Sequence, residues 1–90
     1  MKPVQATELL AEALTLVRQF DYQIREEYLD GAGGGHCSFA GRKWLLLDVT
    51  QPPRERLADV LDALQCEPGL QQRSMSRELL DLLGGSKRAA

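Results

Sequence analysis

The sequence has few of the residues that enzymatic and metal sites usually require. Its 90 residues include two cysteines and one histidine, and the basic residues stand singly or in pairs. The formal net charge of −2 argues against nucleic-acid binding, which depends on a basic face. The longest apolar run, 44–47, is far shorter than the roughly 20 residues that cross a membrane. Because the N-terminus also lacks a signal-peptide pattern, we expect a soluble cytoplasmic protein with neither a membrane nor a nucleic acid as its partner.

The cysteine content predicts free thiols and no metal site. Two cysteines in a chain of cytoplasmic type are more consistent with thiols than with a disulfide. His36 and Cys37 are adjacent, so on a strand their side chains point to opposite faces and do not ligate one ion together. Cys66 stands alone, and no C-x-x-C or H-x-x-x-H spacing supplies further ligands. We therefore expect no metal ion and no other cofactor.

Hydrophobic periodicity predicts three helices. The first begins at Pro3, a residue that suits the first helical turn, and continues for about five turns with one broad apolar face. The second follows the proline pair 52–53 and has a helical apolar stripe. The third is short: Ser74 or Ser76 caps its start, and the glycine pair 84–85 ends it.

Alternation with a period of two predicts strands between the first two helices. Tyr22 to Tyr28 alternate polar and apolar residues, as in a half-buried strand. A hairpin follows, with strands at 36–40 and 43–49. Its two-residue turn is either Ala40-Gly41 or Gly41-Arg42, because glycine permits the positive φ that such turns need.

The predicted hairpin is apolar on both sides. One side, which we expect to pack into the core, carries Cys37, Phe39, Trp44 and Leu46. The other side carries Leu45 and Leu47, so this strand should be central and at least partly covered on both faces. If no helix covers the second side, it forms a contact surface for a second copy or another protein. Leu45 and Leu47 are therefore the candidate interaction residues.

A glycine-rich loop, 30–35, leads into the hairpin. It lacks the spacing of a dinucleotide-binding fingerprint and the Gly-Lys-Ser/Thr ending of a phosphate-binding loop. Ordered glycines cost conformational entropy, which leaves two interpretations: a mobile connection, or a loop whose backbone amides receive a ligand or a partner strand. The second interpretation defines a candidate ligand loop: Gly31, Gly33, Gly34, Gly35, His36 and Arg42.

These elements predict an α+β fold. We expect a helix, a three-stranded antiparallel sheet and then two helices, with the helices packed mainly on one face of the sheet. The length is that of one domain, predicted over residues 1–85. Residues 86–90 have nothing to bury and should form a disordered C-terminal tail.

Two resemblances accompany this layout. The stretch 33–37, Gly-Gly-Gly-His-Cys, is similar to the hairpin of small uncharacterised bacterial proteins with Gly-Gly-Gly-x-Cys, and this resemblance implies no activity. Roughly residues 7–65 resemble the front half of ImmA-type zinc peptidases: a helix, a strand, a Gly-rich loop, a hairpin ending Leu-Leu-Leu-Asp, and Pro-Pro-Arg-Glu-Arg-Leu opening a helix. In that family this helix carries His-Glu-x-x-His, whereas 57–65 contains no histidine. The resemblance therefore implies neither metal ligands nor peptidase activity.

The function expected from these patterns is non-catalytic. Glu26 and Glu27 lie on opposite sides of a strand and give no acid–base pair, and His36 and Cys37 give no thiol–imidazole pair. No catalytic residue is assigned. We expect a protein-interaction or self-association module, with a homodimer as one form of it. The alternative is a small-ligand or metal-dependent function at the Gly31–Gly35 loop with His36, Cys37 and Arg42.

Overall fold

The computed structural model describes residues 2–87 and has the element order that the sequence predicts. The helices are α1 (Pro3–Gln19), α2 (Pro53–Gln65) and α3 (Arg77–Lys87), and the strands are β1 (Tyr22–Glu27), β2 (Gly35–Phe39) and β3 (Arg42–Asp48). A short 3-10 turn, Leu70–Gln72, lies between α2 and α3. The α+β class is confirmed.

The sheet is mixed, so the antiparallel arrangement that we expected is wrong. Its strand order is β1-β3-β2, and β3 pairs in parallel with β1 and antiparallel with β2. A parallel pair needs a long crossover, and the connection 28–34, β2 and the following turn together supply one. The most apolar strand, β3, takes the central position, where two neighbours cover its backbone. The two edges of the sheet are therefore β1 and β2.

A tight turn, Ala40-Gly41, joins β2 to β3 and is one of the two predicted alternatives. Ala40 has φ 54° and Gly41 has φ 76°, and two successive positive φ values are typical of the hairpin turn that matches strand twist. Phe39 and Arg42 pair across the turn. Because Ala40 has a Cβ, this left-handed conformation costs it some energy.

The helices pack on one face of the sheet, as predicted. Leu45 and Leu47 of β3 are 0% and 1% exposed and lie at the centre of this core. The helical side of the core includes Leu9, Leu10, Ala13, Leu16, Val17, Leu57, Val60, Ala63, Leu64, Leu79 and Leu83.

The covered face of the hairpin is the reverse of the one predicted. The side with Leu45 and Leu47 faces the helices, whereas the side with Trp44 and Leu46 faces away from them. The alternation along the hairpin was predicted correctly, but the choice between its two sides was wrong.

The pairing of β1 with β3 explains this reversal. Ile24 lies opposite Leu45, so the apolar side of β1, with the buried Tyr22, joins the Leu45 side. The polar side of β1 joins the other face and carries Gln23, Arg25 and Glu27. Covering the Leu45 side buries apolar side chains of both β1 and β3, whereas covering the other side would also remove Arg25 and Glu27 from water. Apolar burial is favourable and the burial of charge is costly, so the helices pack on the Leu45 side.

α3 is attached to α1 at its N-terminus. The backbone N–H of Leu79 donates to Ser76 Oγ at 3.2 Å, so Ser76 is the cap, one of the two predicted. Glu12 of α1 accepts hydrogen bonds from the Ser76 backbone N–H at 2.6 Å and from its hydroxyl at 2.7 Å. The glycine pair 84–85 does not end α3. Residues 86 and 87 of the predicted tail are therefore helical, and residues 88–90 lie outside the described part of the chain.

Candidate functional site

The two candidate interaction residues lie in the core. Leu45 is 0% exposed and Leu47 is 1% exposed. A side chain with no accessible surface cannot touch a partner while the chain stays folded, so these leucines form no contact surface in this fold. The cause is the reversed face described above: β1 adds its apolar side chains to the Leu45 side.

The face of the sheet opposite the helices, here called the open face, carries apolar side chains of β2 and β3 that lie outside the core. It is formed by Cys37, Phe39, Trp44 and Leu46. Phe39 is 73% exposed, Cys37 is exposed, and Trp44 and Leu46 are half-buried. Cys37 pairs directly with Trp44 across β2 and β3. No helix in the described residues packs on these side chains.

Charged residues border the open face on the β1 side and at the Ala40-Gly41 turn. On the β1 side, Arg25 and Glu27 form an ion pair with 2.8 Å between Nη2 and Oε2. The two side chains are 60% and 41% exposed, so solvent screens the pair and it adds little to stability. Arg42 borders the face at the end nearest the Ala40-Gly41 turn. An apolar centre with a polar, hydrated rim is the usual composition of a protein-binding surface.

The loop 28–34 closes the far end of the open face by folding over Asp48. By strand alternation Asp48 belongs to the Trp44 and Leu46 side, yet it is 0% exposed. Its Oδ1 accepts hydrogen bonds from the backbone N–H of Leu29 at 3.2 Å and of Thr50 at 3.0 Å. The Thr50 hydroxyl donates to the same oxygen at 2.6 Å. Asp48 therefore joins the loop 28–34 and Thr50 to the end of β3 through its hydrogen bonds.

These hydrogen bonds determine the ionisation of Asp48. Burial raises the pKa of the carboxyl, but the hydrogen bonds that it accepts from Thr50, Gly33 and Leu29 outweigh burial and lower the pKa to about 2 from 3.8. The carboxylate is thus charged at neutral pH and satisfied by internal donors. An acid that stays ionised and fully hydrogen-bonded holds structure in place rather than transferring protons.

Three glycines of the candidate ligand loop donate their backbone N–H groups inside the protein. Gly31 donates to Thr50 Oγ1 at 2.9 Å. Gly33 donates to Asp48 Oδ2 at 3.1 Å. Gly34 donates to an oxygen of Asp59 at 3.3 Å. These amides are occupied, and carboxylates next to them repel anions, so the geometry gives little support for a ligand there.

Gly34 is required for steric reasons. A Cβ on this residue would overlap the carbonyl oxygen of Leu46 and press on Leu47 Cα. Gly35, the next residue, has nothing within 4 Å of the position where its Cβ would lie. The loop therefore approaches the backbone of β3 at one glycine and not at its neighbour.

The remaining candidate ligand residues are separated by the fold. Gly35 pairs with Leu46, whereas Arg42 pairs with Phe39 at the opposite end of the hairpin. Arg42 consequently lies far from the glycine loop, and the structure does not bring these residues into one site.

His36 and Cys37 lie on opposite faces of β2, as predicted. Cys37 is a free, exposed thiol on the open face. His36 faces the helix side, where its Nε2 lies 3.9 Å from Cys66 Sγ. Among the described residues, no group of three or more histidine, cysteine and acidic side chains could hold a metal ion.

The sequence analysis missed one cluster of charged and aromatic side chains. Lys43 Nζ lies 3.2 Å from both carboxylate oxygens of Glu67 and 4.9 Å from the centroid of the Tyr22 ring. Tyr22 donates its hydroxyl to Glu67 Oε2 at 2.9 Å. Burial first, and then the bond to Glu67 and its negative charge, raise the pKa of Tyr22 above its usual value of 10. The cluster ties the end of α2 to the sheet, and only the parallel Tyr22–Lys43 pairing could have revealed it.

Comparisons with family models, with curated proteins and with solved structures gave no match to this chain. In residues 2–87, none of the helices combines the length and the apolarity that a membrane span requires. Of the surfaces described above, the open face has the composition of a binding surface, because it is apolar at its centre and polar at its rim.

Proposed function

We propose that this protein is a non-catalytic interaction module and that the open face is its contact surface. The observation that carries the proposal is the exposure of Phe39, 73%, on a sheet face that no described helix covers. Exposed aromatic surface is unfavourable in water. Aromatic residues are enriched at protein interfaces, where they supply much of the binding energy. Trp44, beside Phe39 on the central strand, is the second anchor.

The size of the open face favours another protein over a second copy as the partner. Three strands of six, five and seven residues give a flat area of about 270–300 Å². A stable homodimer buries roughly 800 Å² on each partner. Two copies stacked face to face would fall well short of that, so self-association through this face alone would be weak. A partner that also reaches past the edge of the sheet fits better.

The alternative, a small-ligand or metal-dependent function at the Gly31–Gly35 loop with His36, Cys37 and Arg42, has less support. The loop amides donate to Asp48, Thr50 and Asp59. No observation of the described residues favours this function over the interaction module.

Site-specific photo-crosslinking tests the proposed function. A photoreactive phenylalanine analogue replaces Phe39 in one variant and Leu80 in a matched control. Leu80 is 52% exposed but belongs to α3, on the helix side. After irradiation in cells, we expect a discrete adduct from position 39 and none from position 80. The crosslinked protein is then identified, purified and titrated against the wild type and Phe39→Ser.

The outcomes of this experiment separate the possibilities. Loss of affinity for Phe39→Ser, with an unchanged denaturation midpoint, supports the open face as the contact surface. An adduct between two copies of the chain supports the self-association form of the function. Equal crosslinking from both positions, or none from position 39, contradicts the proposal.

A further inference from the structure

The two edges of the sheet differ in how they are protected. β1 carries Arg25, Glu26 and Glu27, and charges on an edge strand discourage pairing with other chains. β2 reads Gly-His-Cys-Ser-Phe, without lysine, proline or an acidic residue. After its first residue every side chain of β2 is exposed. In the described residues β2 pairs with β3 alone, so no strand occupies its other backbone edge.

The turn fixes which backbone groups of β2 point outward. In a two-residue hairpin the residues that flank the turn, here Phe39 and Arg42, form a hydrogen-bonded pair. Alternation then directs the N–H and C=O groups of Cys37 towards β3. The N–H and C=O groups of His36 and Ser38 point away from the sheet. An added strand would bond to His36 and Ser38.

The side chains of an added strand would meet two different environments, because they alternate between the two faces. On one side lies the open face, where Cys37 and Phe39 offer apolar contacts. On the other side lie His36, Ser38 and the flank of α2 beneath them.

That flank of α2 is acidic. α2 runs under β2, since the Gly34 N–H donates to Asp59 Oδ2 at 3.3 Å and His36 lies 3.9 Å from Cys66. Glu55 and Asp62 lie one helical turn before and after Asp59 on the same side of the helix, and both are exposed. The flank therefore presents three acidic side chains next to the free edge.

From this arrangement we propose that β2 pairs with an extended segment of the partner protein whose side chains alternate between apolar and basic. The apolar ones extend the open face beside Phe39, and the basic ones face Glu55 and Asp62. This inference rests on the proposed function and adds the binding mode and the chemistry of the partner. A second copy fits less well, because antiparallel pairing of two β2 edges sets two acidic flanks against each other.

Synthetic peptides test this proposal with the intact chain. The probe is a short peptide of alternating lysine and valine, and the charge-reversed control alternates glutamate and valine. A third peptide has the probe sequence with backbone N-methyl groups on every second residue, which removes the donors of one edge. Binding is followed by the NMR shift of the His36 amide, which every variant keeps, and of the residue 38 amide where it is present. We expect the probe to bind at low salt and both control peptides to bind about tenfold more weakly or worse.

Variants of the chain locate the contact. Ser38→Pro removes an outward N–H that β3 does not use, whereas Ser38→Ala keeps it, so only the proline variant should lose probe binding. Asp62→Lys should weaken probe binding, while Glu8→Lys, an equal charge change on α1, should leave it largely unchanged. If Ser38→Pro fails to fold, the N-methylated peptide gives the same information without altering the protein.

These experiments distinguish a failure of the edge-docking proposal from a failure of the proposed function. Equal binding of the lysine and glutamate peptides, or no loss on N-methylation, overturns the edge-docking proposal. If Phe39→Ser still abolishes binding of the crosslinked partner in that case, the open face stands and only the docking mode is wrong. If Phe39→Ser has no effect either, both proposals fail. A dimer of the chain alone, crosslinked through Cys37 in both copies, overturns the choice of a different protein as partner.

Discussion

The two faces of β3 carry similar apolar residues in opposite environments. Leu45 and Leu47 are almost fully buried under the helices, whereas Trp44 and Leu46 are half-buried and have no helix over them. The difference originates in the neighbouring strand, since β1 adds Ile24 to one face and charged residues to the other. The hydrophobicity of a central strand therefore does not decide which face is covered.

The ends of the open face show a second contrast. At one end the loop 28–34 folds over Asp48, which is as buried as any core leucine. At the other end the Ala40-Gly41 turn is exposed. Four substitutions, each with a matched control, test first the two faces of β3 and then the two ends of the open face.

The largest effect is expected from a charge on the covered face. Leu47→Lys places an ammonium group where 1% of the side chain is exposed. An unpaired buried charge costs several kcal/mol, comparable to the whole stability of a small domain. We expect this variant to be unfolded by circular dichroism.

Leu46→Lys is the matched control for that prediction. Its side chain lies one residue away on the open face, so we expect a folded variant that loses less than about 1 kcal/mol. If Leu46→Lys unfolded and Leu47→Lys stayed folded, the faces would have been assigned the wrong way round.

A smaller loss is expected where the loop meets β3. Gly34→Ala forces a Cβ against the Leu46 carbonyl and should destabilise the chain by about 1–3 kcal/mol in urea denaturation. Gly35→Ala has open space and should be neutral or slightly stabilising. Equal effects at the two positions would show that the loop does not approach β3 closely.

The buried carboxylate gives a prediction about pH. Because the folded pKa of Asp48, about 2, lies below 3.8, its contribution to stability is complete above about pH 4 and is lost as the pH falls through 2. The difference in unfolding free energy between the wild type and Asp48→Asn should be constant near neutrality and shrink between pH 4 and 2. Asp62→Asn, on exposed α2 surface, controls for the loss of any carboxylate. A constant difference down to pH 2 would be inconsistent with the hydrogen bonds described.

The smallest effect is expected at the turn. Asparagine tolerates the positive φ of Ala40 better than alanine does, so Ala40→Asn should raise the free energy of unfolding by a fraction of the roughly 1–2 kcal/mol that the left-handed conformation costs an ordinary residue. Ala32→Asn, in the loop without a positive φ, should leave it unchanged. Destabilisation at position 40 would argue against this turn.

The sequence predicted the elements because each has a local cause. Residues close in the chain are enough to predict the leucine periodicity of α1 and α2, the Ser76 cap and the Ala40-Gly41 turn. The mixed sheet could not be predicted in this way, since the choice between β2 and β3 as the neighbour of β1 is made by burial across the whole domain. The reversed face follows from that single choice: once Ile24 is paired with Leu45, the core side of β3 is determined.

Prediction of the candidate site also depended on how β1 pairs with β3. The pattern predicted correctly that His36 and Cys37 point to opposite faces and that Cys37, Phe39, Trp44 and Leu46 share one side. It assigned that side to the core, so the surface proposed here was missed and Leu45 and Leu47 were chosen instead. The glycine loop was assigned as a candidate ligand site because its own residues do not show where its N–H groups donate. Their acceptors, Asp48 and Asp59, come later in the chain.

The most direct measurement of whether the open face is free in the folded chain is the accessibility of Trp44, the one tryptophan of the sequence. Acrylamide quenching of its fluorescence is recorded on the purified protein over a range of concentrations. We expect ready quenching that does not change with protein concentration, because a half-buried indole on an uncovered sheet face meets the quencher from one side. Strong protection of Trp44 at the lowest protein concentration would contradict this, since it would mean that the chain itself covers the face proposed for its partner.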